Sequence, residues 1–130
     1  MSADDRDAIR RLKHEYCYLI DDGDYEAWVD LFTEDGQFSL GETTFAGHEE
    51  LHEFATETFD SAYDTTAHVV TNPLIEVDGD TATGRWYLML AYQTPDGEVG
   101  WKQTNYDDEY RRVDCEWKIV SSAANANIEA

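Results

Sequence analysis

Between residues 8 and 20 the apolar side chains of Ile9, Leu12, Tyr16, Leu19 and Ile20 recur three and four residues apart, the spacing that gathers them on one face of an α-helix. Asp4 and Asp5 precede them, where carboxylates favour the positive end of a helix dipole. The breaker cluster Asp21-Asp22-Gly23-Asp24 should end this helix. A second, shorter helix is expected over residues 25–32, burying Trp28, Leu31 and Phe32, and then a short extended stretch over 38–45. A third helix is expected from residue 48 to 59, with Leu51, Phe54, Ala55, Thr58 and Phe59 as its apolar stripe.

After Thr65 the helical period gives way to segments rich in β-branched and aromatic residues: "AHVVTNPLIEV", "TATGRWYLMLAYQT", "EVGWKQTNYDDEYRRV" and "EWKIVSSAAN". Asp78-Gly79 and Asp96-Gly97 read as hairpin turns between them, and Asp114-Cys115 as a third hairpin without glycine. Helices followed by a meander of four long antiparallel strands predict an α+β fold, with the N-terminal helices as the only cover for the apolar face of the sheet. No repeat, linker or low-complexity stretch interrupts the pattern, so residues 1–130 are expected to form a single domain.

Charge narrows the partners. The 130 residues carry 29 Asp and Glu against 9 Lys and Arg, a formal net charge of -20 spread along the chain rather than gathered in a tail. Such a field repels phosphate backbones and anionic lipid, so neither nucleic acid nor a membrane surface is expected as a partner, and anionic substrates are disfavoured. The acidity serves solubility. Its sharper reading is adaptation to a high-salt, halophilic cytoplasm, since lysine occurs only as Lys13, Lys102 and Lys118. Cys17 falls in the first helix and Cys115 in a turn, which suits two reduced thiols in a cytoplasmic protein. The charged opening residues do not resemble a signal peptide, and the apolar runs are too short to span a bilayer.

His48-Glu49-Glu50-Leu51-His52 spells the H-E-x-x-H zinc signature, and two histidines four apart on a helix do project together. A zinc hydrolase also needs a third protein ligand, and the one remaining later histidine, His68, falls at a strand start after a loop. Imidazoles flanking the apolar stripe of a Glu-rich helix are ordinary, so no metal is expected.

Asp21 and His68 are better candidates. Asp21 stands where the first helix leaves the core, and His68 opens a strand whose neighbours are almost all apolar or small. At the mouth of a helix-on-sheet cavity they could form a dyad, the carboxylate fixing the imidazole tautomer and steadying the imidazolium formed when the other nitrogen takes a proton. Taken singly, a solvated helix-end carboxylate and a strand histidine satisfied by its neighbours are the plainer readings. Tyr16 lies on the apolar stripe, yet its hydroxyl could reach a pocket and polarise a carbonyl. It stands about 140° around the helix from Asp21, so the two converge only through the long tyrosine side chain or a bend.

The segments "IRRLKHEYCYLIDDGDYEAWVDLFTEDG", "FAGHEELHEF", "AHVVTNPLIEVDGDTATGRWYLMLAY" and "NYDDEYRRVDCEWKI" together resemble the SnoaL-like branch of the nuclear-transport-factor-2-like superfamily. That branch includes scytalone dehydratase, the bile-acid 7α-dehydratases, γ-hexachlorocyclohexane dehydrochlorinase and polyketide cyclases. The resemblance covers nearly the whole chain. It implies a cone-shaped α+β barrel, a curved antiparallel sheet wrapped around the long N-terminal helix with a deep apolar pocket inside. Lyases of the branch pair an aspartate at the end of helix one with a histidine opening a strand, and those positions fall on Asp21 and His68. Tyr16 matches a tyrosine that the bile-acid dehydratases use beside the pair, and the helix bearing His48 and His52 matches one that binds no metal in the relatives.

Departures remove the specific reactions. Tyr92 stands where scytalone dehydratase has a second pocket histidine, Thr104 and Tyr106 stand near its serine and asparagine, and Leu40 and Leu90 replace polar groups of the bile-acid enzymes. A more aromatic pocket is expected, lined by Trp86, Leu88, Leu90 and Tyr92 on one strand face, with Trp28, Trp101 and Tyr106 added. The expected function is a lyase of dehydratase type, or an isomerase, that needs no cofactor and acts on a small apolar cyclic compound. The alternative is a non-catalytic protein of the same fold that binds a hydrophobic small molecule. By analogy with the branch, a homo-oligomer is expected, a dimer or alternatively a trimer paired through the outer sheet face.

Overall fold

The computed structural model describes residues 3–130. The first helix, α1 (Ala3–Asp22), starts earlier than the apolar periodicity predicts. Its first turn is tied down: Asp5 Oδ1 accepts hydrogen bonds from Arg112 Nη1 at 2.6 Å and Trp117 Nε1 at 3.2 Å. The breaker cluster ends it as expected, with Gly23 in the left-handed region at φ 78 and the Asp24 amide donating back to the Leu19 carbonyl at 2.9 Å.

The second helix, α2 (Tyr25–Val29), is shorter than residues 25–32. Its expected tail is taken by the sheet, because the Leu31 carbonyl accepts from the Ile119 amide at 2.9 Å and Phe32 pairs with Ile119. The stretch after it becomes a hairpin, β1 (Phe32–Leu40) and β2 (Thr43–Ala46), turning at Gly41. The third helical region is composite: α3 (Gly47–Glu53), a π-helical stretch (Phe54–Phe59) and α4 (Asp60–Ala62). Widening the turn there turns Phe54 and Phe59 to the same side, with ring centroids 6.3 Å apart.

The long strands β3 (Thr65–Asp78), β4 (Thr81–Gln93), β5 (Val99–Val113) and β6 (Glu116–Glu129) form the expected meander. The sheet nonetheless has six strands, not four, in the order β2-β1-β6-β5-β4-β3. Strand β1 joins parallel to β6, and every other pairing is antiparallel. The hairpin turns fall where expected. Asp114 and Cys115, which lack the freedom of glycine, both adopt positive φ, at 51 and 70. Strand β3 bulges at Asn72-Pro73, shifting register between Thr71 and Leu74.

Alternation along β4 sends Trp86, Leu88 and Leu90 inward against α1 and leaves Tyr87 and Met89 exposed. Ile9, Leu12, Lys13, Tyr16, Cys17 and Ile20 of α1 are all buried against that face, which gives the curved-sheet-on-helix cone implied by the resemblance. No described helix is long and apolar enough to cross a membrane.

Candidate functional site

Asp21 lies in the last turn of α1, and His68 lies near the start of the edge strand β3. They meet with His68 Nδ1 and Asp21 Oδ1 2.6 Å apart, and their side chains are 7% and 18% exposed. Two further donors converge on this carboxylate: the His68 amide on Oδ2 at 2.8 Å and the Thr66 hydroxyl on Oδ1 at 2.8 Å. Burial by itself would raise the Asp21 pKa, but the hydrogen bond and charge contact with His68, the amide and the hydroxyl outweigh it and hold the carboxyl below its ordinary value. An ionised carboxylate only accepts, so Nδ1 carries the hydrogen and Nε2 is the nitrogen left open. Nε2 has no hydrogen-bond partner among the described residues.

His68 forms part of the wall of a hollow of about 90 Å³ between α1 and the concave face of the sheet. The hollow is lined by Tyr16 and Ile20 from α1, Trp28 from α2, Phe38 and Leu40 from β1, and Phe54, Phe59 and Tyr63 from the third helical region and the turn after it. The sheet supplies Leu88, Leu90, Lys102, Thr104, Tyr106, Ala124 and Ala126. Larger depressions are open grooves: one of about 360 Å³ lies beside Asn72 and Tyr87, and one of about 430 Å³ lies on the other side of the pair, lined by His14, Cys17, Tyr18, Asp21 and His68.

Of the sequence-predicted residues, His68, Tyr16, Trp28, Leu88, Leu90 and Tyr106 line this hollow, and Asp21 stands behind His68 without lining it. Three others do not. Trp101 points outward and is 40% exposed, because inward-facing Lys102, Thr104 and Tyr106 fix the phase of β5. Trp86 faces inward but lies farther along the sheet, its indole donating to the Tyr110 hydroxyl at 3.0 Å. Tyr92 backs the wall instead of forming it, its ring packed 5.0 Å from that of Tyr63. Thr66 and Lys102 were missed by sequence reasoning, although each shares an inward strand phase with a recognised residue: Thr66 with His68, Lys102 with Tyr106.

Inside the hollow the polar atoms are few. The Tyr106 hydroxyl donates to the Tyr16 hydroxyl at 3.3 Å, so the Tyr16 hydrogen points to another acceptor, with the buried Ser122 side chain also within reach of that phenol. Burial pushes both phenols well above their ordinary pKa, against the hydrogen bond from Tyr106 in the case of Tyr16, so both remain neutral donors. Trp28 Nε1 is buried without a hydrogen-bond partner among the described residues. Beneath the tyrosines the Lys13 ammonium sits 4.0 Å from the Tyr16 ring centroid and 3.5 Å from that of Tyr106, paired with Asp108 at 2.9 Å. Cys17 is inert nearby, burial pushing its thiol up to about 12.

The zinc-like motif has other occupations. His48 Nε2 donates to the Phe32 carbonyl at 3.0 Å, Glu50 accepts from the Ala46 amide at 2.9 Å, and His52 is exposed. Among the described residues no cluster of three His, Cys, Asp or Glu side chains is close enough to hold a metal ion.

Comparison with known proteins identifies the family and the fold. The model of the SnoaL-like domain matches residues 1–123, and the chain belongs to that family. A proposed aromatic ring hydroxylase from Novosphingobium aromaticivorans is 31% identical and superposes with a TM-score of 0.92 over 100% of this chain and 94% of its own. A proposed scytalone dehydratase from the same organism (22% identity, TM-score 0.89, 97% of this chain and 86% of its own) shares the fold. So does a hexachlorocyclohexane dehydrochlorinase (22% identity, TM-score 0.90, 97% and 87%). No curated protein is similar enough in sequence to count as a relative.

Proposed function

We propose that this SnoaL-like protein is a lyase of dehydratase type, or an isomerase, acting on a small apolar cyclic compound through Asp21 and His68. The observation that carries the reading is the 2.6 Å contact between the two side chains at the wall of an apolar hollow. His68 Nε2 removes a proton from a carbon beside a carbonyl or a leaving group. Asp21 holds the ring and stabilises the imidazolium that results, and the Tyr16 hydroxyl donates to a substrate oxygen. Structural neighbours named for dehydration and dehydrochlorination support an elimination at this site.

The hollow, at about 90 Å³, is smaller than the roughly 150 Å³ cavity that accommodates benzene in an engineered core. It has room for one ring at most, and any further part of a ligand lies at the open side, where Leu40, Tyr63 and Ala126 are partly or fully exposed. The test is hydrogen–deuterium exchange at carbon, in D2O, over a panel of cyclic ketones, alcohols and halides. Wild type should exchange or eliminate at least one, and His68→Ala should lose about a hundred- to ten-thousand-fold while keeping its circular dichroism spectrum, with a melting point lowered only by the loss of the Asp21 contact. Binding without exchange would favour the non-catalytic binding protein instead.

A homodimer belongs to the same reading, with a trimer as the alternative. The outer face of the sheet exposes Val69, Leu74, Tyr87, Met89 and Trp101, an apolar set of the kind that a two-fold contact covers. Analytical ultracentrifugation decides between monomer, dimer and trimer.

A further inference from the structure

The inference concerns Lys102 and rests on the hollow being a ligand site. Among the described residues, seven of the nine basic side chains pair with a carboxylate: Arg10, Arg11, Lys13, Arg85, Arg111, Arg112 and Lys118. Arg6 and Lys102 have no such partner among the described residues, and Arg6 is exposed on the first helix. Lys102 instead is half-buried on the inward phase of β5 and lines the hollow. Its ammonium makes no hydrogen bond or ion pair with a described residue and has only the faces of Tyr63 and Tyr92 near it, each centroid 5.9 Å away. Two distant rings compensate weakly for drawing a cation toward an apolar wall. In a chain with 29 carboxylates, an inward-facing lysine without one leaves a charge free for something that enters.

Register supplies the second observation. His68 pairs with Leu90, and Leu90 pairs with Lys102, so the three lie in one row across β3, β4 and β5. Two strand spacings separate the backbone positions of the base and the cation by about 10 Å, with both side chains on the concave face and Leu90 as the floor between them. One small ring spans that gap. We propose that Lys102 binds an anionic group, a carboxylate or an enolate-like oxygen, on the ligand whose reacting carbon faces His68, so that the substrate class is a small cyclic acid rather than a neutral hydrocarbon derivative. The net charge of the chain argues against anionic substrates at long range, but salt screens that field beyond about 8–10 Å, and at contact distance the free ammonium decides.

Benzoate and benzamide, matched in shape and differing in charge, are the probes, with binding measured by calorimetry. Wild type should bind benzoate about tenfold more tightly, the size of one charge-assisted hydrogen bond at a half-buried site. Lys102→Met should erase that preference, weakening benzoate about tenfold more than benzamide. Glu129, opposite Lys102 in the β5–β6 ladder, is the control: Glu129→Gln should keep or enlarge the preference. Equal affinity of wild type for the two probes, or a preference that survives in Lys102→Met, would overturn the anchor and leave the hollow as a neutral-ring site. Binding of neither probe would overturn the anchor and the ring-binding hollow together.

Discussion

Lys13 and Asp108 face each other across 2.9 Å with neither side chain reaching solvent. The pair fastens the middle of α1 to β5 under the floor of the hollow, and Asp108 Oδ2 also accepts from the Tyr110 hydroxyl at 2.7 Å. Removing one partner leaves a charge in the core. Lys13→Met should therefore cost about 3–5 kcal/mol, whereas the apolar double variant Lys13→Met/Asp108→Leu should regain most of the loss. Urea unfolding of the three proteins measures it, and a double variant no more stable than the single one would show that the pair is worth more than its desolvation.

Asp21 makes stability depend on pH in a direction that follows from its partners. The carboxyl is held below its ordinary value in the fold, so the unfolded chain binds that proton more readily. The resulting stabilisation is complete above the unfolded carboxylate pKa near about 3.9 and is lost as the pH falls through the lower folded value. Asp21→Asn should accordingly be less stable than wild type at neutral pH, with the gap closing in acid. Melting points of both proteins across the acid range are the measurement; a gap that stays constant or widens as the pH falls rules this linkage out.

The Tyr110 ring occupies the space that Gly84 leaves open. A Cβ at Gly84 would lie 2.9 Å from Tyr110 Cε2 and 3.0 Å from its hydroxyl oxygen, the atom that links the Trp86 indole to Asp108. Gly84→Ala should cost about 1–3 kcal/mol through this overlap. Gly84→Ala combined with Tyr110→Phe, which removes the oxygen but not the ring, should still be destabilised. Full recovery in that pair would place the clash at the hydroxyl alone.

The parts of the molecule set by local periodicity could be read in the sequence, and the parts set by long-range pairing could not. The apolar spacing from Ile9 to Ile20 and the alternation from Thr81 to Gln93 each fix an element and its buried face without reference to the rest of the chain. The parallel pairing of β1 with β6 joins residues such as Phe38 and Ser122, and no local signal near Phe38 announces a partner so far along the chain. Trp101 was misplaced for a different reason: aromatic character suggested the pocket, while the local strand phase, legible from Tyr106 and Tyr110, puts it outside. Lys13 was visible as a charge inside the apolar stripe of α1, and Asp108 as a carboxylate on the inward phase of β5. What the sequence lacked was the register that joins them. For Asp21 and His68 the residue types and element ends were readable, but the contact depends on α1 crossing the edge strand at one particular turn.

The tyrosine pair supports a sharper prediction because hydrogen-bond direction ranks the two residues. Tyr106 donates to the oxygen of Tyr16, so under the proposed function the hydrogen offered to a ligand would belong to Tyr16, and Tyr106 would act by holding that phenol in place and strengthening it as a donor. Tyr16→Phe should lower exchange or turnover by about a hundredfold, the usual cost of one donor to a developing oxyanion. Tyr106→Phe should cost about tenfold, close to one lost hydrogen bond. The double variant should be no worse than Tyr16→Phe alone, since a positioning residue has nothing left to position. Both rings remain, so circular dichroism and the melting point should change little in all three proteins. Independent, additive losses would instead mean that each hydroxyl reaches the substrate directly.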